Sequence, residues 1–310
     1  VTDPVGLLNI YEYTMSYSGT TYNSGYLNNE LYWWTITPYD VSSIWFIYTY
    51  GIASDDKFSY NNFGVRPTIN LKSNIKIVDG EGTVDKPYRL SGDNDTDLSG
   101  TLLNTRYSGE YIRFGVGENN LYRIVSHENG IGTKVTSAEP LKSGETFVTS
   151  AFDNNGNINY SSTNIIGTFL NNDYLNTESS YLTIDDIAMI EDETKWYLGK
   201  VDYIDNYKLA KYHDIDMISM APSTSAKIGL LRLGELMSGQ FNIYDNNIEY
   251  YLVTPYKNEY HLWYIYPEAV GGHAVSNTVI GVRPALNLKS NVIITGGDGT
   301  LQNPFTLALA

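Results

Sequence analysis

The chain of 310 residues contains no cysteine, which excludes a disulfide framework, a thiolate nucleophile and a zinc–thiolate site. Histidine is scarce. The four residues, His127, His213, His261 and His273, are scattered, and no pair has the i, i+4 spacing of a helical metalloprotease motif. They read as solvated or loop histidines. Positive charge is in deficit, with 20 Lys and Arg against 35 Asp and Glu and a formal net charge of −15. A nucleic-acid backbone or an anionic membrane would be repelled, so neither is expected as partner. No apolar run approaches the roughly 20 residues that span a bilayer, so no membrane insertion is expected of this segment. A Gly-x-Ser-x-Gly elbow and a phosphate-binding loop are also missing. Asp93-x-Asp95-x-Asp97 imitates the opening of a calcium loop, but Leu98 stands where glycine is needed and Asn104 where the bidentate Glu is needed. It reads as an acidic linker. The pairs Asp185-Asp186 and Glu191-Asp192 read as solvated charge, since nothing sets two carboxylates across a cleft. No catalytic group, metal or cofactor is therefore expected.

What the chain has in excess is tyrosine, 28 residues, and asparagine, 30 residues. Tyr supplies rigid contact area with a polar tip and Asn adaptable hydrogen bonding, a mixture found in recognition surfaces. A β-rich fold with many Asn-containing turns enriches the same types, so composition leaves both readings open.

Order enters through repetition. Gly64-Val65-Arg66-Pro67-Thr68-Ile69-Asn70-Leu71-Lys72-Ser73-Asn74 returns as Gly281-Val282-Arg283-Pro284-Ala285-Leu286-Asn287-Leu288-Lys289-Ser290-Asn291, and residues 64–90 and 281–307 agree at 15 of 27 positions. Upstream, Thr37-Pro38-Tyr39 matches Thr254-Pro255-Tyr256, each Thr lying 27 residues before its Gly-Val-Arg-Pro. Ile44-Trp45-Phe46-Ile47-Tyr48 matches Leu262-Trp263-Tyr264-Ile265-Tyr266, and Val5-Gly6-Leu7-Leu8 matches Ile228-Gly229-Leu230-Leu231. The repeat covers roughly 1–90 and 223–308. That length predicts duplicated domains or half-domains rather than a solenoid.

Residues 4–14 and 228–237 have the apolar spacing of a short amphipathic helix. Tyr32 to Thr37 and Tyr250 to Thr254 read as strands stopped by proline, followed by aromatic strands at 44–50 and 262–266. Segments 51–63 and 267–280 read as loops or edge strands. The Asn-Leu-Lys-Ser-Asn runs predict strands, closed by the turns Asp79-Gly80-Glu81-Gly82 and Gly296-Gly297-Asp298-Gly299. Between the copies, residues 110–137 predict a β-meander, and Ile166, Leu170 and Tyr174 predict a helix over 163–176 capped by Ser162 or Thr163. The repeat predicts three parts. Residues 1–90 are the C-terminal half of a domain whose front half is absent, 91–97 are the acidic linker, and 98–308 are a complete domain. Arg66 and Arg283 occupy the same place in each copy and fit either an anion site or a buried structural fork, the latter favoured by the apolar residues around them.

With those residues assembled, the chain resembles a family. Trp33-Trp34-Thr35-Ile36-Thr37-Pro38-Tyr39, Trp45-Phe46-Ile47 and Gly64-Val65-Arg66-Pro67, with their second-copy equivalents, look like the C-terminal half of C-type-lectin-like domains of the formylglycine-generating-enzyme branch. That branch includes bacterial surface paralogues and variable proteins of diversity-generating retroelements, and residues 110–176 look like the front half of such surface proteins in Gram-positive gut anaerobes. The resemblance covers about 1–90 and 105–308. It implies an α+β fold with a twisted antiparallel sheet and short helices, in tandem, whose loops before the Gly-Val-Arg-Pro strand display a ligand-binding face. The enzyme members use cysteines, so that activity is not carried over, and the Glu-Pro-Asn and Gln-Pro-Asp calcium–sugar motifs of animal lectins are missing. In the retroelement members the varied residues precede the terminal strand and derive from Asn codons. Here Asn258, Tyr260, His261, Tyr264, Tyr266, His273, Ser276, Asn277 and Thr278 are types reachable by adenine replacement in such a codon, and Glu268 is not.

The expected working face is 257–280, with 40–63 as its counterpart, because the copies keep their spacing there while the side chains diverge. Asn258, Tyr260, His261, Tyr264, Tyr266, His273 and Asn277 are the candidate ligand-binding residues. Alternate residues such as Trp263 and Ile265 are expected to point into the core. The functional expectation is an extracellular, cell-surface adhesion protein that binds a protein or glycan on another cell or in its own assembly. The rival is a structural subunit of a surface filament that self-associates through its half-domain.

Overall fold

Antiparallel β-structure dominates and the helices are short, as the aromatic and β-branched runs predict. The structure is a computed structural model whose description covers residues 4–16, 27–28, 30–54, 62–72, 75–83, 86–91, 98–127, 132–177, 181–198, 223–238, 248–256, 261–266 and 269–310. The acidic run at 92–97 and His213 lie outside the described residues.

The first segment carries β1 (Gly6–Leu7), α1 (Ile10–Met15), β2 (Trp33–Pro38), β3 (Ile44–Ile47), β4 (Ala53–Ser54), β5 (Pro67–Thr68), β6 (Lys76–Asp79) and β7 (Arg89–Ser91). The middle carries β8 (Tyr111–Arg113), β9 (Leu121–Ser126), β10 (Thr133–Ser137), β11 (Lys142–Ser143), β12 (Thr146–Phe147), β13 (Thr149–Ser150), α2 (Ile165–Thr168), α3 (Ile184–Met189), β14 (Thr194–Tyr197) and β15 (Ser223–Ala226). The last segment carries β16 (Ile228–Leu230), α4 (Leu233–Ser238), β17 (Tyr250–Pro255), β18 (His261–Tyr266), β19 (Ala269–Val275), β20 (Ile280–Gly281), β21 (Pro284–Leu288), β22 (Val292–Gly296) and β23 (Thr306–Leu309).

Pairings in the first and last segments correspond one for one. Trp33↔Ile47, Trp34↔Phe46 and Pro38↔Ile44 answer to Tyr250↔Ile265, Tyr251↔Tyr264 and Pro255↔Leu262, with the same register shift before the proline. Gly6↔Thr68 and Leu7↔Pro67 answer to Gly229↔Ala285 and Leu230↔Pro284. The hairpins β6–β7 and β22–β23 share a bulge, between Ile77 and Asp79 in one and between Ile294 and Gly296 in the other. Even the helix start is shared, because Thr37 Oγ1 accepts the Ile10 N–H at 3.0 Å and Thr254 Oγ1 accepts the Leu233 N–H at 3.0 Å. The two helices touch where the Tyr11 ring lies over Gly234, the residue at Tyr11's own place in α4.

The middle segment builds the larger sheet. Strands β8, β9 and β10 form the expected meander, and β10 lies antiparallel on β21 to give the order β16-β21-β10-β9-β8. A second five-stranded sheet has the order β13-β20-β17-β18-β19. Ile166, Leu170 and Tyr174 are all fully buried, as their spacing predicts. The helix itself differs from expectation: α2 is a single turn capped by Asn164, whose Oδ1 accepts the Gly167 N–H at 2.9 Å, and continues as a π-turn over Phe169–Asp173. The wide turn brings Asn171 onto the edge of β16, where Oδ1 accepts the Ile228 N–H at 3.0 Å and Nδ2 donates to the Ile228 carbonyl at 3.1 Å.

Other expectations are corrected. Helix is absent from the start of 4–14 and 228–237, where Gly6–Leu7 and Ile228–Leu230 pair as strands. In the first segment Asn9 then supplies a capping box with Glu12, which delays α1 to Ile10. The repeated Asn-Leu-Lys-Ser-Asn run is not itself a strand among its described residues. Strand β21 begins at Pro284 and stops at Leu288, and β5 is two residues long. Arg283 is buried and donates from Nε to the Ser137 carbonyl at 2.9 Å, from Nη2 to the Ala138 carbonyl at 2.8 Å and from Nη1 to the Tyr250 hydroxyl at 2.7 Å. Arg66 is only half-buried, sits 5.1 Å over the Trp33 ring and donates to the Leu27 carbonyl. His127 is not a free loop histidine, since its ring meets the Arg106 carbonyl at 2.6 Å and Thr133 Oγ1 at 3.1 Å. Asp186 is buried, its Oδ2 accepting from the Thr183 N–H at 2.8 Å to cap α3.

Candidate functional site

The expected face centres on β18, the next-to-edge strand of its sheet. Leu262, Trp263 and Ile265 are buried while His261, Tyr264 and Tyr266 are half-exposed. Two consecutive residues turn inward because the register shifts between Leu262 and Tyr264. The Tyr264 and Tyr266 rings then stand side by side, 5.6 Å apart and inclined at 35°. Trp263 packs edge-on against Tyr256 at 5.2 Å and holds the strand from below. Partial burial, with Glu249 and Tyr266 beside it, raises the Tyr264 phenol above its ordinary value. The Tyr264 ring stays a neutral hydrogen-bonding group at physiological pH.

The remaining candidates are placed unequally. Asn277 is exposed on the turn after β19, and His273 lies within β19. Asn258 and Tyr260 lie outside the described residues. Ser276, one of the residues reachable from an Asn codon, is fully buried and its carbonyl accepts the Asp153 N–H at 2.9 Å, so it belongs to the scaffold.

At the equivalent place in the first segment the rings are more numerous. Tyr32 and Phe63 stack at 5.2 Å, Trp34 and Phe63 meet at 4.6 Å, and Tyr48 and Tyr50 stack at 5.8 Å, with Phe46 buried beneath. Tyr50 is 70% exposed. Tyr32 and Trp34 join this cluster from the head of β2, which sequence spacing alone assigns to the scaffold.

A family model described as a domain of unknown function, DUF6273, matches residues 9–73. No curated protein and no solved structure matches the chain. The matched stretch runs from the cap of α1 through β5 and so contains the whole first aromatic cluster.

A cavity of about 720 Å³ that no sequence motif marks lies in the middle segment, lined among others by Glu118, Lys142, Ser143, Tyr181 and Thr183. Its wall is stiff, because Asn119 bonds the Lys142 backbone through both its oxygen, at 2.8 Å, and its nitrogen, at 2.9 Å. Hydrogen bonds from backbone N–H groups, that of Gly144 among them, with Lys142 nearby, hold Glu118 below the ordinary carboxylate value. Glycine-marked turns at Gly117 and Gly144 were its visible trace. None of the candidate ligand-binding residues lines it. Among the described residues no group of three or more His, Asp or Glu side chains is placed to hold a metal ion. No described helix is long and apolar enough to cross a membrane.

Proposed function

We propose that the chain is a non-enzymatic recognition protein of the cell surface, formed by duplicated C-type-lectin-like units. It binds a protein or glycan, on another cell or in its own assembly, through the aromatic and polar face on β18 and the turns beside it. The observation that carries this is the pair Tyr264 and Tyr266, half-exposed side by side on a strand whose neighbours Trp263 and Ile265 are buried. Rings of this kind supply contact energy at low entropic cost. Support also comes from the contrast between copies, in which one matched pairing carries different rings, Tyr251 and Tyr264 answering to Trp34 and Phe46. Location outside the cell rests on the family resemblance.

The test is binding of the full chain to glycan and protein arrays, followed by the double variant Tyr264→Ser, Tyr266→Ser against every hit. Binding is expected to vanish while stability falls by no more than about 2 kcal/mol, because both rings are only partly buried. Undiminished affinity in the folded double variant removes β18 as the face. A structural role in a surface assembly is the second reading, favoured by the apolar face that the first copy leaves uncovered.

A further inference from the structure

The two copies are built alike and covered unlike. Leu286 and Leu288 are 0% exposed, whereas their counterparts Ile69 and Leu71 are 57% and 48% exposed. Ile294 and Phe305 are 0% exposed, and their counterparts Ile77 and Tyr88 are 60% and 52% exposed. In the second copy the cover is the middle segment. Strand β10 runs along β21 from Thr133↔Leu288 to Thr136↔Ala285, Leu102 bridges Ile293, Ile112 bridges Phe305, and Ile190 bridges Leu288. In the first copy, β5 pairs with β1 and no other described strand. Its Leu71 carbonyl is met by the Tyr107 hydroxyl at 3.1 Å.

We infer that this uncovered face is the seat of a further front-half segment of the same build as residues 98–198, lying ahead of the first copy in the same polypeptide. The inference rests on reading the two segments as copies of one unit, and it is independent of which ligand the β18 face takes. Three features state the chemistry of the occupant. Its strand lies antiparallel on 68–71, as Thr133 to Thr136 lie on Ala285 to Leu288. It carries a cation at the place of Lys134, whose Nζ meets the buried Glu235 carboxylate at 2.5 Å, because Glu12 holds the place of Glu235 and is exposed. It brings main-chain carbonyls to Arg66 where Ser137 and Ala138 meet Arg283. A second molecule does not satisfy the face equally well. Its own residues 98–198 already cover its own second copy, so lending them would expose as much apolar surface as it hides.

The test extends the full chain at its N-terminus with a duplicate of residues 98–222, matching the order found before the second copy. Hydrogen exchange at 67–71 is expected to slow at least tenfold and binding of an apolar dye to fall, and Lys134→Glu in the duplicate to reverse both. A parallel extended chain with Thr68→Ala and Ile69→Leu makes 64–74 identical to 281–291, which removes sequence mismatch as a reason for failure. Unchanged exchange at 67–71 in both extended chains overturns the inference. So does sedimentation of the unextended chain as a dimer with 67–71 already protected, which would make a second molecule the occupant. Loss of array binding in the Tyr264 and Tyr266 variants moves neither readout, so the two readings fail separately.

Discussion

Two arginines at one repeated position show how far a residue's role depends on what lies over it. Arg283→Met would strand the buried Ser137 carbonyl and Tyr250 hydroxyl, each costing about 1–3 kcal/mol when its partner is lost, and the half-buried Ala138 carbonyl. A loss of about 3 kcal/mol or more in chemical denaturation is expected. Arg66→Met should cost under about 1 kcal/mol, because that guanidinium is half-exposed and, among the described residues, meets the Leu27 carbonyl and the Trp33 ring in place of three buried polar groups. Equal losses would mean that the two sites are energetically alike despite their different surroundings. His127 offers a pH test. Nε2–H donates to the Arg106 carbonyl, so Nδ1 is left to accept from Thr133 Oγ1. Burial lowers its pKa from the ordinary 6.5, against the opposing pull of the Arg106 carbonyl and Glu110. A depressed folded-state value means that the unfolded chain binds the proton first. The stability due to neutral His127 is therefore full above 6.5 and lost as pH falls through the depressed value. Denaturation midpoints of the wild type should drop between about pH 7.5 and about pH 5.5 by more than those of His127→Gln. Parallel pH dependence of the two proteins would remove His127 as the titrating group.

At the scale of elements, the repeated Thr-Pro-Tyr was visible in the sequence and its job was not. Each Thr hydroxyl accepts the first N–H of the helix that follows β1 or β16, a contact that spans 27 residues in one copy and 21 in the other. Thr37→Val and Thr254→Val should each cost about 1–2 kcal/mol, the worth of a helix cap; a clear loss from only one would break the correspondence. Gly132 fixes the register of β10 on β21, for it has φ +43 and a Cβ there would stand 1.6 Å from the Leu288 carbonyl oxygen. Gly132→Ala should cost more than about 3 kcal/mol. Gly144→Ala, with φ +63 and open space around it, should cost about 1–2 kcal/mol for the backbone conformation alone. A smaller loss at Gly132 than at Gly144 would show that β10 can shift without penalty. What was legible in the chain was whatever local periodicity encodes: the meander, the inward Trp263 and Ile265, and the buried face of Ile166, Leu170 and Tyr174. Two-residue strands such as Gly6–Leu7 are too short to carry a period, and the π-turn after Thr168 preserves the same apolar spacing as a regular helix. Helix α3 was signalled only by Thr183-x-x-Asp186, a capping box without an apolar stripe long enough to confirm it.

For the molecule as a whole, what the repeat concealed is that equal sequence does not give equal burial. Fifteen of 27 positions agree between 64–90 and 281–307, yet the apolar positions of the second stretch are inside and those of the first are largely outside. Burial depends on the partner surface, and residues 98–198 engage the second copy through strand pairing, three isolated bridges and the Lys134–Glu235 contact. Local opening free energy follows the number of buried contacts that must be broken. The hairpin β22–β23 is locked from below by Ile294, whose N–H donates to the Thr101 carbonyl at 2.9 Å and whose carbonyl accepts from Gly100 at 2.8 Å. The hairpin β6–β7 presents Ile77 and Leu90, 60% and 44% exposed, to solvent. Backbone amides of β6 and β7 should therefore exchange at least tenfold faster than the matched amides of β22 and β23, in the same molecule and the same experiment. The comparison is internal, so solvent, temperature and global stability cancel. Matched exchange in the two hairpins would mean that some surface already covers the first copy in solution, and sedimentation would then show whether that surface is a second molecule. Faster exchange confined to β5, β6 and β7, with β2 and β3 protected, would mark the first copy as folded around Trp33 and Trp45 and open along one face.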